Sequence, residues 1–256
     1  MSSHRIKDRE RLIVALDVPS GGQARDLVET LGSSVAFYKV GLELFLSGDA
    51  FELLDWLVEQ GKKIFVDLKF FDVPATVARA VNQLHGRNVT FATVHGNDAM
   101  MRAAAESSND VGILAVTVLT SLDRGDLDDL GFQCDVGELV CSRARRAMEH
   151  GCVGVVASGQ ETAMLRQHLD ESLLIVTPGI RPVINDDDQK RTVTASRALH
   201  DGADYIVVGR PIRDAVDPRV AAEVLQIEIA AALGSISIAC ADLGHQATPR
   251  NYGIPS

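Results

Sequence analysis

The chain has 256 residues, 46% of them hydrophobic and 23% charged, with 25 Lys and Arg against 35 Asp and Glu. That is the composition of a water-soluble globular protein, sized for one large α/β barrel or two modest domains. A net charge of −10 leaves no basic footprint for nucleic acid or an anionic membrane surface, although a few local cations can still hold a small anion.

The first segment, with His4, Arg5, Lys7, Asp8, Arg9, Glu10 and Arg11, lacks the apolar core a signal peptide carries. Beyond it, short apolar, β-branched runs recur at residues 12–17 (LIVALD), 35–41, 63–69 (KIFVDLK), 88–95, 112–120 (GILAVTVLT), 152–158, 173–179 and 203–209 (ADYIVVG). Between them lie helix-like segments such as Ala50 to Gln60, with Gly61 as a C-cap, and Ala75 to Leu84. The widest gap, Thr120 to Cys152, has room for a loop plus a helix. Ile229 to Ala241 is nearly uncharged but too short for the roughly 20 residues of a membrane span. Residues 234–256, with Pro249, Gly253 and Pro255, read as a C-terminal tail with partial disorder, which leaves 1–233 as one domain.

Strands that are apolar throughout are buried on both faces, which is the signature of a parallel sheet covered by helices. Eight strand–helix units in about 250 residues predict a closed (β/α)8 TIM barrel. A doubly wound open sheet is the alternative, but it usually has fewer units at this length and often a Gly-rich first turn. The four cysteines, Cys134, Cys141, Cys152 and Cys240, contain no C-x-x-C pair and read as reduced thiols of a cytoplasmic protein. The seven histidines include no pair at zinc-ligand spacing, and Walker A and G-x-G-x-x-G patterns are missing.

Nearly every strand ends in something polar: Asp17, Lys39, Asp67 with Lys69, His95, Thr120, Ser158, Pro178 to Arg181, and Gly209 with Arg210. In a parallel barrel these ends share one face, where active sites are built. Any one of them can be a helix cap or a solvated charge. Four ionisable groups on apolar strands (Asp17, Lys39, Asp67, Lys69) are costly to bury unpaired, so as a set they predict a paired network at a site. Asp67 and Lys69, two apart on one strand, point to the same side. Asp72 falls in the loop before the helix that Pro74 starts, where it can reach over the barrel mouth or into a neighbouring subunit. Thr177-Pro-Gly-Ile-Arg181 and Val208-Gly-Arg210 place glycine backbone and guanidinium forks at the last two strands, where barrels commonly hold phosphate.

The run Asp67-Leu-Lys69-Phe-Phe-Asp72-Val-Pro-Ala-Thr76 resembles the D-x-K-x-x-D-[IV]-P-x-T signature of the orotidine 5′-phosphate decarboxylase family, bacterial group. The resemblance continues through Ala15-Leu-Asp17, Tyr38 to Phe45, Thr93-Val-His95, Ala115 to Ser121, Thr177 to Pro182 and Ile206 to Pro211. It implies decarboxylation of orotidine 5′-phosphate to uridine 5′-phosphate, the last step of de novo pyrimidine synthesis, by a cofactor-free homodimer with no metal. It implies Lys69 as proton donor to C6 within an array of Lys39, Asp67, Lys69 and Asp72, the last from the partner subunit. Asp17 and Lys39 would contact the ribose, the partner's Thr76 the nucleotide, and Thr120 the pyrimidine. Arg181, Gln189, Gly209 and Arg210 would grip the phosphate, with Gln189 in a loop from Pro182 to Lys190 that closes over substrate.

Two features depart from the family pattern or lie outside it. Gly96-Asn-Asp-Ala follows His95 where the family often has Ala and a Gly pair, and His95 reads as a packed residue rather than an acid or base. Asp186 to Asp188 read as a solvated loop face. Two rivals remain. Magnesium-dependent sugar-phosphate lyases share the D-x-K-x-x-D core but, by family resemblance, carry a Glu ligand where this chain has Lys39, a cation that would repel the metal. A non-catalytic nucleotide-binding barrel would be expected to lose part of the charge array, and all four members are present.

Overall fold

The computed structural model describes residues 6–181 and 191–234. Among them eight strands run parallel and close in sequence order, β1 pairing with both β2 and β8. They are β1 (Leu12–Ala15), β2 (Phe37–Gly41), β3 (Lys63–Phe70), β4 (Val89–His95), β5 (Gly112–Val116), β6 (Gly154–Val156), β7 (Leu174–Thr177) and β8 (Tyr205–Val208). The closed (β/α)8 barrel expected from the unit count is therefore present, and the open sheet is excluded.

The helices are α1 (Gly21–Leu31), α2 (Leu42–Phe45), α3 (Ala50–Glu59), α4 (Pro74–Asn82), α5 (Asp98–Ser107) and α6 (Arg124–Asp129). There follow α7 (Val136–Glu149), α8 (Gly159–His168), α9 (Ala195–His200), α10 (Arg210–Arg213) and α11 (Pro218–Ala232). Local chemistry explains several starts. Ser20, Asn97, Thr194 and Asp217 cap α1, α5, α9 and α11 by accepting backbone N–H groups, and Pro74 opens α4 where its missing N–H costs nothing. Gly61 follows α3 with φ +67°, the left-handed turn that ends a helix.

Two apolar layers hold the barrel. Outward residues such as Val14, Tyr38, Ile64 and Ala92 pack against the helices, as in the contact layer with Leu53, Leu57 and Val81. Inward residues Ile13, Phe37, Phe65, Phe91, Leu114, Val176 and Tyr205 form a separate core within the strands. Phe91 sits at its centre, with ring centroids 5.7 Å from Phe37, 6.2 Å from Phe65 and 5.4 Å from Tyr205. Such tilted and edge-on pairs add about 0.5–1.5 kcal/mol each beyond the area they bury.

Several strand bounds are tighter than the sequence runs, and two stretches differ in more than length. The strand in the apolar run 112–120 ends at Val116; Thr117 still gives both its N–H and its Oγ1 hydroxyl to the Val156 carbonyl, and beyond it the carbonyls of Val118 and Leu119 accept from Arg191 Nη2. The gap before Cys152 holds two helices, α6 and α7, each opened by an acidic capping box. Cys134, Cys141 and Cys152 are free thiols, and burial pushes that of Cys152 up to about 12. No helix among the described residues is long and apolar enough to cross a membrane. Apart from Gly234, the tail lies outside the described residues, as do Cys240, Gln189 and Asp186 to Asp188.

Candidate active site

The inner face of the sheet changes character toward the strand C-termini. Two residues above Phe37, Phe65 and Phe91 stand Lys39, Asp67 and Thr93, all directed inward by strand alternation. Asp17 lies just past β1. The result is a chain of alternating charge. Lys39 Nζ is 3.1 Å from Asp17 Oδ1 and 3.5 Å from Asp67 Oδ2, and Lys69 Nζ is 3.0 Å from Asp67 Oδ1. The Lys39 and Asp67 side chains are each only 12% exposed, and their pairing offsets the cost of burying the two groups. Gly41 makes room for them. A Cβ there would stand 3.0 Å from Lys39 Nζ and 3.2 Å from Asp17 Oδ1.

Asp67 is the hinge of this array. Burial pushes its carboxyl up, but Lys39 and Lys69, together with hydrogen bonds from Lys69 and Thr93, outweigh burial and hold it below its ordinary 3.8. At neutral pH it is a carboxylate. Lys69 reaches it by a route that strand spacing did not anticipate. Its φ is +49°, and the β3–β4 register shifts between Val66 and Phe70. The other non-glycine residues with positive φ among the described residues are Asn88 and Asn109, a type that tolerates the left-handed region, whereas for a lysine it costs about 1–2 kcal/mol. The expected pairing holds, but through an irregular strand end rather than two-residue alternation.

A cavity of about 330 Å³ opens above the array. Eight of the residues expected in a site line it: Asp17, Lys39, Asp67, Lys69, Thr120, Arg181, Gly209 and Arg210. Val116, Val118 and Val156 give it an apolar side, and Arg181, buried at 7% exposure, stands with Gly209 and Arg210 on the side of the last two strands. Arg213 was missed by sequence reading. It lines the cavity, donates from Nη1 to the Asp17 carbonyl at 2.6 Å, and is held by Asp214 through Nε and Nη2.

Other expected residues lie elsewhere. Asp72 is exposed on the β3–α4 loop, accepting the Val73 N–H, and Thr76 on α4 accepts from Arg79 Nη2; neither lines the cavity of its own chain. Ser158 is a cap, accepting the Gln160 N–H at the start of α8. His95 faces a second, largely apolar cavity of about 510 Å³ with Phe71, Met100 and Phe132. Burial, then Arg143 and Lys69, hold its imidazole below the ordinary 6.5, so at neutral pH it adds no charge. Phe71 and Val73, on either side of Asp72, are 67% and 62% exposed.

A family model described as orotidine 5′-phosphate decarboxylase / HUMPS matches residues 10–225. Orotidine 5′-phosphate decarboxylase of Methylococcus capsulatus is 64% identical over 231 residues, covering 90% of this chain and 96% of that protein. The enzyme of the same name from Stenotrophomonas maltophilia is 52% identical over 233 residues, covering 90% and 97%. Among solved structures, orotidine 5′-phosphate decarboxylase from Lactobacillus acidophilus superposes with a TM-score of 0.77 at 35% identity, covering 86% of this chain and 99% of that one.

Proposed function

The chain belongs to the orotidine 5′-phosphate decarboxylase / HUMPS family, and from that premise we propose that it converts orotidine 5′-phosphate to uridine 5′-phosphate and carbon dioxide. The observation that carries this reading is the Asp17–Lys39–Asp67–Lys69 chain at the floor of a cavity whose rim holds Arg181 and Arg210. Guanidinium forks suit a phosphate, and the apolar side suits a pyrimidine face.

Cleavage of the C6–carboxylate bond leaves its electron pair in the plane of the ring, where the π system cannot delocalise it. A fixed cation must meet that charge. The Lys69 ammonium, held by Asp67, stabilises the pair and donates a proton to C6, while carbon dioxide departs; water then reprotonates the amine. Asp17 and Lys39 serve the ribose, Thr120 the base, and Arg181, Gln189, Gly209 and Arg210 the phosphate. Binding energy from that remote end assists the reacting centre. This places the enzyme at the last step of de novo pyrimidine synthesis, in the cytoplasm.

The expected result is loss of the orotate absorbance band on incubating orotidine 5′-phosphate with purified protein in chelator. Turnover only with magnesium and a sugar phosphate would move the chain to the lyase reading. Against that reading stands the Lys39 ammonium, a cation paired with Asp17 and Asp67 that would repel a metal ion there.

The working unit is a homodimer in which each Asp72 and Thr76 serve the partner's site. What supports this is their place outside their own cavity, on a loop whose flanking Phe71 and Val73 expose apolar surface. Mixing inactive Lys69→Ala and Asp72→Ala proteins under subunit exchange is expected to restore activity, because a mixed dimer contains one intact site. No recovery in mixtures that exchange would place Asp72 with its own Lys69.

A further inference from the structure

Thr93 carries no role in the reading above, yet among the described residues it is the one neutral side chain bonded into the charge array. It is fully buried on β4. Its Oγ1 accepts the Lys69 backbone N–H at 2.9 Å and donates to Asp67 Oδ1 at 2.9 Å, the same oxygen that Lys69 Nζ meets at 3.0 Å. The three groups close a ring: Lys69 N–H to hydroxyl, hydroxyl to carboxylate, and ammonium back to that carboxylate.

A hydroxyl has one proton. Since the Lys69 N–H points at the Thr93 oxygen, that single proton is left for Asp67, and the bond direction is fixed. The ring also lies where the β3–β4 register shifts, so the hydroxyl takes the Lys69 N–H that the ladder does not. An unpaired buried N–H there would add to the cost of the φ of +49°. We propose that Thr93 is a positioning residue for the decarboxylation, its hydroxyl locking the left-handed backbone of Lys69 and the Asp67 carboxylate into one geometry. The inference rests on the decarboxylase reading.

The test compares Thr93→Val, which keeps shape and removes the hydroxyl, with Thr93→Ser, which keeps the hydroxyl. In Thr93→Val, kcat is expected to fall on the order of tenfold to a hundredfold, the scale of a misplaced reacting group, with KM within about threefold of wild type. Thr93→Ser is expected to recover most of that loss. A valine variant within twofold of wild type in kcat, a loss carried by KM, or a serine variant as impaired as valine would each overturn the proposal. Should Thr93→Val not fold, Thr93→Ala takes its place in the same comparison.

A crystal structure of the hydroxyl-less variant gives a second readout, independent of substrate. Lys69 is expected to leave its positive φ and its contact with Asp67; an unchanged Lys69 overturns the proposal. If the wild type itself does not consume orotidine 5′-phosphate, the decarboxylase reading fails, and the structural readout alone decides whether Thr93 positions Lys69.

Discussion

Replacing Lys69 by Ala is expected to lower kcat by at least about 10⁴-fold while uridine 5′-phosphate binds within about tenfold of wild type. The figure combines two functions of one ammonium. A positioned general acid contributes roughly 10²–10⁴-fold, and a preorganised charge facing a developing anion roughly 10²–10³-fold. Even the lower product corresponds to about 5 kcal/mol of barrier. Binding is expected to survive because the proposed phosphate grip of Arg181, Gly209 and Arg210 follows the last two strands, whereas Lys69 lies on β3. Single-turnover absorbance and calorimetric titration check the two halves. Turnover within tenfold of wild type would remove Lys69 from the chemistry, and loss of binding in a folded variant would make it a binding group.

Much of this site was legible in the sequence because a parallel barrel turns chain order into spatial order. Eight apolar runs implied the closed sheet, and polar residues at their ends then had to share one rim, which is how Asp17, Thr120 and Arg181 were brought together from three distant stretches. What was not legible depends on side chains that satisfy backbone groups from elsewhere. Arg191 takes the carbonyls of Val118 and Leu119, beyond the point where the fifth strand stops although composition says it should continue. Thr93 was visible within Thr93-Val-His95, and its inward parity beside Asp67 was the available signal. Threonine on an apolar strand reads as ordinary β structure, however, and only the paired distances reveal its bonds. Arg213 gave no signal, since its contact with Asp17 joins residues 196 apart in sequence.

Asp67→Asn is expected to reduce both turnover and stability. An amide keeps the shape but leaves two ammonium groups, Lys39 and Lys69, facing each other without their shared counter-charge. Removing one member of a buried charge network costs about 3–5 kcal/mol, and for a chain of this size that lowers the melting temperature by roughly 6–20 °C. Turnover is expected to fall by about a hundredfold or more, since the amide no longer fixes the proton donor.

The pH dependence of the difference tests the cause. In the wild type Asp67 is held below its ordinary 3.8, so the stability it contributes is fully present above that value and is lost as pH falls beneath it. The variant lacks this group. The gap between the two melting temperatures is therefore expected to stay constant from neutral pH down to about 4 and to narrow below it. A gap that closed between pH 7 and 5 would show that Asp67 takes up a proton there and that the array is not held ionised.

The aromatic layer lies beneath the array as a floor. Phe37, Phe65, Phe91 and Tyr205 fill the barrel interior below Lys39 and Asp67, on the side of the strand N-termini. Above that layer the cavity is lined toward the strand C-termini by Asp17, Arg181 and Arg210. Under the proposed reaction, carbon dioxide, being small and uncharged, is expected to leave before a nucleotide whose phosphate those guanidinium groups would hold. On the same reading, bound product occupies the cavity that the next substrate needs, so the nucleotide must leave before the next turnover.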